Sequence, residues 1–308
     1  MCIVSAEKET PCSPLWPNFF IVGTVKGGTT SLYAQLRQHP AVFLPSVKEP
    51  HYFAQVQPVP EQDHLFDYVR DTASYLKLYR NAGTFPAIGD ASTSNLWDSQ
   101  APHRIRAVSP KARIIILLRD PVVRAHSHYL MDFREGVVDL PFPDILHQDY
   151  VQREKGWGIS RLYVELGLYH DQVQRYQNVF GRDQVLVLLF DDLVRDPEGT
   201  LQRVALHLGI DPQPFSTMDL AQIHNGYKAP RGHWARRCAA SPAARWIGHT
   251  LMPQRLQWWC YQHLILKTAK KPPIDAVSRH FLEHLYDPDI AHLESLLGRA
   301  LPELRGSW

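Results

Sequence analysis

The chain of 308 residues reads as a single α/β domain built on a parallel sheet, with a peripheral helical extension at its C-terminal end. Three observations carry that expectation. Short β-rich runs alternate with helical stretches, the pattern of strands joined by crossover helices. The runs 113–118 and 185–190 are apolar with little alternation, as strands covered on both faces are. A third run, Phe19–Val22, enters a glycine-rich loop that opens directly into a helix-like segment.

In chain order, residues 1–17 hold Pro11, Pro14 and Pro17 among polar residues and read as a flexible lead-in to a domain over 18–308. Strands are expected at 19–22, 42–44, 87–89, 113–118 and 185–190. Helices are expected at 29–38, 72–80, 100–107, 122–134, 162–179 and 198–208. Gly181 suits a helix stop, and Pro197 suits a first helical turn because it has no N–H to leave unpaired. Residues 229–272 differ in character, with Arg231, Arg236, Arg237, Arg245 and Arg255 interleaved with Trp234, Trp246, Trp258 and Trp259. Three readings of that stretch stay open: helices packing their tryptophans inward, a surface facing the substrate, or contact with a membrane surface.

The loop at 23–28 carries the first chemistry. A strand, a glycine-rich loop and a helix N-terminus together hold an anion through backbone N–H groups and the helix dipole. Nucleoside-triphosphatase loops run G-x-x-x-x-G-K-[ST]. Gly23, Gly28 and Thr30 fit that frame, but Thr29 stands in the lysine position and the lysine is Lys26. The loop is therefore expected to take a phosphate outside the usual Mg-ATP arrangement. Arg119 ends the run Ile114–Leu118, at the carboxyl end of a strand, where open α/β sheets place their ligands. Arg124 and Ser127 follow three residues apart on one helical face. A guanidinium fork matches phosphate oxygens. An ion pair of Arg119 with Asp120 or Asp90 fits the spacing equally well. Two anion sites at two strand ends would suit a nucleotide with well-separated anionic groups.

Charge is nearly balanced, 33 basic against 31 acidic residues, so bulk electrostatics point to no nucleic-acid partner. Four scattered cysteines form no disulfide framework or C-x-x-C pair; four free thiols in a cytoplasmic protein are expected, with a Cys238–Cys260 bridge as the alternative. No signal-peptide core and no transmembrane run is apparent, while peripheral membrane contact stays open. Sixteen histidines include no H-E-x-x-H pattern, and no metal site is expected. The oligomeric state is not readable.

Taken together, V-K-G-G-T-T-S, K-E-P-H-Y-F (Lys48–Phe53) and R-D-P-x-x-R-A-x-S-x-Y (Arg119–Tyr129) resemble the sulfotransferases that use 3′-phosphoadenosine 5′-phosphosulfate (PAPS). The resemblance extends over most of 18–308 and is similar in kind to bacterial members and to heparan sulfate glucosaminyl 3-O-sulfotransferases. It implies a P-loop-like, three-layer fold with a central parallel sheet between helices. It implies that Lys26, Gly27, Gly28, Thr29 and Thr30 cradle the 5′-phosphosulfate, and that Arg119 and Ser127 hold the 3′-phosphate. Arg231 and Gly232 are the expected counterparts of a later cofactor-binding loop. Arg124 matches the motif and is expected to fix the loop.

The implied reaction is transfer of the sulfuryl group to an acceptor hydroxyl of a glycan, glycolipid or small natural product, leaving 3′-phosphoadenosine 5′-phosphate (PAP). A lysine aimed at the bridging oxygen stabilises the charge that develops there, a role that suits Lys26 and needs no metal ion. The hydroxyl must lose a proton, and Glu49 matches the family's catalytic glutamate. Taken alone, Glu49 beside Lys48 would read as a surface ion pair. Desolvation by Pro50, Tyr52 and Phe53 is expected to raise its pKa. His51 falls where members that modify glycosaminoglycans have a histidine, either orienting Glu49 or acting as a second base.

Three departures argue against a polyanionic acceptor. Thr30 stands where several heparan sulfate enzymes have arginine, Gly89–Thr93 lacks their lysine, and no cysteine pair flanks Arg231-Gly232. The loop 54–70 and the 229–272 stretch are expected to shape the acceptor site. A P-loop kinase and a non-catalytic nucleotide-binding module are the competing readings. Turnover of ATP with Mg²⁺ would favour the first, and dispensable Lys26 and Glu49 the second.

Overall fold

The computed structural model describes residues 15–54, 56, 68–218, 220, 227–232, 256 and 259–306. Five parallel strands form its central sheet: β1 (Phe19–Ile21), β2 (Val42–Phe43), β3 (Ala87–Ala91), β4 (Arg113–Leu118) and β5 (Val185–Leu189). Their spatial order is β2-β3-β1-β4-β5. Phe19 lies level with Gly89 on one side and with Arg113 on the other, so β1 is central. A separate antiparallel ribbon pairs β6 (Lys228–Pro230) with β7 (Leu266–Thr268). The helices are α1 (Thr29–Leu36), α2 (Thr72–Lys77), α3 (Ser94–Trp97), α4 (Ala101–Val108), α5 (Pro121–Glu135), α6 (Phe142–Val151), α7 (His170–Phe180), α8 (Phe190–Arg195), α9 (Pro197–Leu208) and α10 (Ala276–Leu297).

Period-2 alternation of side chains divides each strand between two cores. In β4, Ile115 and Leu117 join Leu32 and Leu36 of α1 and Leu201 and Val204 of α9. Ile114, Ile116 and Leu118 point the other way, into a core shared with Ile105 of α4, Val122 of α5, Val173 of α7 and Leu282 of α10. Helices thus cover both faces, which is why β4 is apolar and buried from Ile114 onward. The result is the expected three-layer architecture, completed by the long C-terminal α10.

Several boundaries differ from expectation for identifiable reasons. The helix expected at 162–179 begins at His170. Before it, the Asp149 carboxylate accepts from the amides of Arg161 (2.6 Å), Leu162 (3.3 Å) and Tyr163 (2.9 Å), and Leu162 has φ 57°. Those captured amides leave only a 3₁₀ turn at Glu165–Gly167. The last strand stops at Leu189 because Phe190 opens α8. The expected lead-in is not wholly detached: Trp16 packs beside Tyr52, Phe53 and Tyr75, and the Pro17 carbonyl accepts from Ser109 Oγ at 2.6 Å. In the basic aromatic stretch, Trp259 is exposed and stacks on His263 rather than packing inward. Trp234, Trp246 and Trp258 lie outside the described residues, as do Arg236, Arg237, Arg245 and Arg255. Cys260 is a half-buried free thiol, and Cys238 is outside the described residues. Among the described residues, no helix is long and apolar enough to cross a membrane.

Candidate active site

The loop between β1 and α1 is pinned to the sheet by its own backbone. The amides of Val22 and Thr24 donate to the carbonyls of Ile115 (3.0 Å) and Leu117 (3.2 Å), and Thr24 Oγ1 donates to the Leu166 carbonyl at 2.9 Å. A Cβ on Gly27 would stand 2.8 Å from the Thr24 carbonyl oxygen and 2.9 Å from that of Leu117. Gly28 has φ 95°, and a Cβ there would stand 2.4 Å from the Phe190 ring. Both positions therefore need glycine. Thr29 and Thr30 form the first turn of α1, whose N-terminus no side chain caps. That end offers backbone N–H groups and a positive dipole end to an anion.

Cations converge on this end. Lys26, itself at φ 63°, places its ammonium 4.0 Å from Met131 Sδ. Burial, followed by the charges of Arg134 and Arg119, pushes Lys26 down to about 8. The Arg119 guanidinium donates to the Lys26 carbonyl at 3.1 Å and lies over the Phe190 ring at 4.5 Å. Asp120, one alternative ion-pair partner, caps α5 by accepting from Val122 (2.9 Å) and Val123 (3.0 Å). Asp90, the other, accepts from Tyr75 at 2.9 Å.

No sequence motif points to Lys271, yet the fold brings it here. Its ammonium donates to Ser127 Oγ at 2.8 Å, and burial with Arg119 and Lys26 pushes it down to about 8. Ser127 in turn donates to the Val123 carbonyl at 2.7 Å. Arg231, expected to supply the late basic contact, instead turns its Nε to the carbonyls of His263 (3.0 Å) and Leu266 (3.1 Å). Gly232 is exposed, and a Cβ there would meet nothing within 4 Å. The reason is topological: the β6–β7 ribbon occupies Arg231, while the chain leaving β7 brings Lys271 to α5. Arg124 is fully buried and donates to the Tyr163 carbonyl, so it braces the 162–169 segment.

Glu49 and His51 stand at the end of β3. Both adopt left-handed backbone, φ 61° and φ 54°. Such non-glycine conformations cost about 1–3 kcal/mol each and persist only where neighbours hold them. Here the Glu49 amide donates to the Ala91 carbonyl at 2.9 Å, and the His51 amide to Ser92 Oγ at 3.3 Å. The Glu49 carboxylate pairs with Lys48, accepts from Thr93 Oγ1 at 3.1 Å, and lies 3.6 Å from His51 Nε2. His51 Nδ1 meets Ser94 Oγ at 2.6 Å. Residues 91–94 thus form a pedestal under both functional groups.

The expected rise in the Glu49 pKa is not what the structure gives. Burial pushes its carboxyl up, but Lys48, His51 and Thr93 outweigh it and hold the group below the usual carboxylate range. Burial pushes His51 down, against the opposing pull of Glu49. Glu49 is thus biased toward the carboxylate, while burial favours the neutral form of His51. Glu49 also acts on Lys26, favouring its charged form, so the two halves of the site sense one another.

A glycine-rich loop with its lysine at 26, a half-buried arginine at the end of the neighbouring strand and a carboxylate at the end of β3 are the features expected of a sulfotransferase. A model of the sulfotransferase domain matches residues 17–243, and the chain belongs to that family. It is 29% identical over 248 residues to human carbohydrate sulfotransferase 15, covering 64% of this chain and 44% of that protein. It is 30% identical over 198 residues to mouse heparan sulfate glucosamine 3-O-sulfotransferase 3B1, covering 63% of this chain and 46% of that one. The chain thus spans less than half the length of these curated relatives. Among solved structures, a sulfotransferase from Alicyclobacillus acidocaldarius superposes with a TM-score of 0.71 at 27% identity, over 94% of this chain and 99% of that one.

Proposed function

We propose that the chain transfers the sulfuryl group of PAPS to an acceptor hydroxyl. The observation that carries this reading is the convergence of Lys26, Arg119 and Lys271 at the uncapped N-terminus of α1. Burial disfavours the charge on all three; Arg119 lowers both lysines, and Lys26 lowers Lys271. Such a cluster is relieved when an anion neutralises it. In this reading the loop 26–30 holds the 5′-phosphosulfate. Arg119, with Lys271 and Ser127, holds the 3′-phosphate, and Lys271 takes the place expected of Arg231.

The acceptor oxygen attacks sulfur as the bond from sulfur to the bridging phosphate oxygen breaks. The electron pair of that bond goes to the bridging oxygen, where the Lys26 ammonium stabilises it. The hydroxyl proton passes to Glu49, which is held ionised and ready to accept it. His51 is buried, with one ring nitrogen on Ser94 and the other facing Glu49. We assign it to orienting the carboxylate rather than to taking the proton.

Calorimetric titration with PAP, AMP and ATP tests the reading. Tight binding of PAP with much weaker AMP is the expected result. Equal binding of PAP and AMP would remove the 3′-phosphate assignment and with it the proposed donor.

A further inference from the structure

Two aromatic rings lie against the imidazole beside Glu49. Tyr68 and Trp157 lie against the His51 ring, with centroids 5.4 Å and 5.8 Å away and planes tilted by 52° and 49°. The His51 residue is 4% exposed, whereas the Glu49 side chain keeps 29% of its surface open. Trp157 is half-buried and so retains part of its own surface. Both rings thus flank the imidazole whose Nε2 lies 3.6 Å from the partly open Glu49 carboxylate.

Trp157 is held in place from outside the site. It sits on the stretch between α6 and the residues whose amides the Asp149 carboxylate captures. Lys155 ties the same stretch down, donating to the Asp149 carbonyl and pairing with Glu165 at 2.7 Å. Gln152 donates to the Ile159 carbonyl at 3.2 Å, and residues 157 and 160 form a β-bridge. Trp157 thus stands on a segment tied down by groups that bind no nucleotide in the reading above, which lowers the ordering cost of using its ring for another ligand.

We infer that Trp157 and Tyr68 form the acceptor subsite and that its occupant is an uncharged sugar ring. The ring lays its apolar face on the indole and presents one hydroxyl to Glu49. An indole offers a large flat surface to C–H groups, and its N–H offers a polar edge to ring hydroxyls. The ionised Glu49 disfavours an anionic group at the same position. The inference rests on the sulfuryl-transfer reading and extends it to the acceptor.

Saturation-transfer NMR on the full chain loaded with PAP tests it. The probes are the methyl β-pyranosides of glucose, galactose and mannose at millimolar concentration, p-cresol, and a sulfated uronate-bearing disaccharide. Saturation of at least one neutral pyranoside is expected. Its affinity should weaken roughly tenfold in Trp157→Ala and recover in Trp157→Phe, the size of a single stacking interaction. PAP affinity should be the same in all three proteins, which also shows that the variants are folded. No saturation of any neutral pyranoside overturns the subsite, as does saturation confined to p-cresol or the sulfated disaccharide, or saturation indifferent to Trp157→Ala. Failure of the wild type to bind PAP would instead sink the donor assignment.

Discussion

The guanidinium of Arg119 donates to the main-chain carbonyl of Lys26 at 3.1 Å, joining the end of β4 to the loop that follows β1. One hydrogen bond thus ties together the two segments proposed to hold the donor's two anionic ends.

Lys26→Ala should abolish transfer and Lys271→Ala should weaken PAP selectively. In the second variant the advantage of PAP over AMP should shrink, because the proposed reading gives that ammonium to the 3′-phosphate. Calorimetry with both nucleotides reads this directly. An unchanged ratio in Lys271→Ala would remove that residue from the nucleotide site.

PAP affinity should fall as pH rises through about 8, where Lys26 and Lys271 lose their protons in the free protein. The sign follows from which form binds: only the ammonium attracts the anion, and bound phosphate raises its pKa in return. Binding at pH 8 should therefore take up protons, visible as a dependence of the calorimetric enthalpy on the ionisation enthalpy of the buffer. Proton release, or none, would contradict the assignment.

Glu49→Gln should retain PAP affinity and lower kcat by roughly 10²- to 10⁴-fold, the usual worth of a positioned general base. In the wild type, the acid limb of the rate profile should fall below the usual carboxylate range, because the folded pKa is depressed. An unaltered kcat in Glu49→Gln would return the base role to His51.

Asp90 is buried and pushed up to about 6, with burial the largest cause, despite hydrogen bonds from Ser92, Tyr75 and Tyr79. A carboxyl raised in the folded state binds more protons there than in the unfolded chain. Its contribution to stability is greatest below the unfolded value near 3.8 and is lost as pH climbs through about 6. Asp90→Asn should flatten that part of the stability profile, measured by urea unfolding from about pH 4 to about pH 7. A profile identical to wild type would place the ionisation elsewhere.

The fold is legible in the sequence where physics is local. Continuous apolar runs, Gly27 and Gly28 before α1, and Pro121 and Pro197 in first helical turns all act within a few residues. The donor-side candidates Lys26 and Arg119 are legible for the same reason, each standing at a strand end. Lys271 is not, because its meaning lies in Ser127, 144 residues earlier in the chain. Nor is the non-helical course of 162–169, since periodicity does not register a carboxylate at 149 capturing three amides. The pedestal Ser92–Ser94 stands out in the sequence for a lysine it lacks, while its hydroxyls do the holding. Arg231 illustrates another case, a basic residue suggestive in sequence whose Nε donates to the ribbon it flanks.

Phe190 lies under the Arg119 guanidinium and also against Gly28. One phenyl ring therefore touches both the segment after β4 and the loop before α1. A leucine at 190 would slacken both contacts without removing any group proposed to touch phosphate. If the donor reading holds, discrimination among nucleotides would then drift through loss of calibration, with every charge still in place.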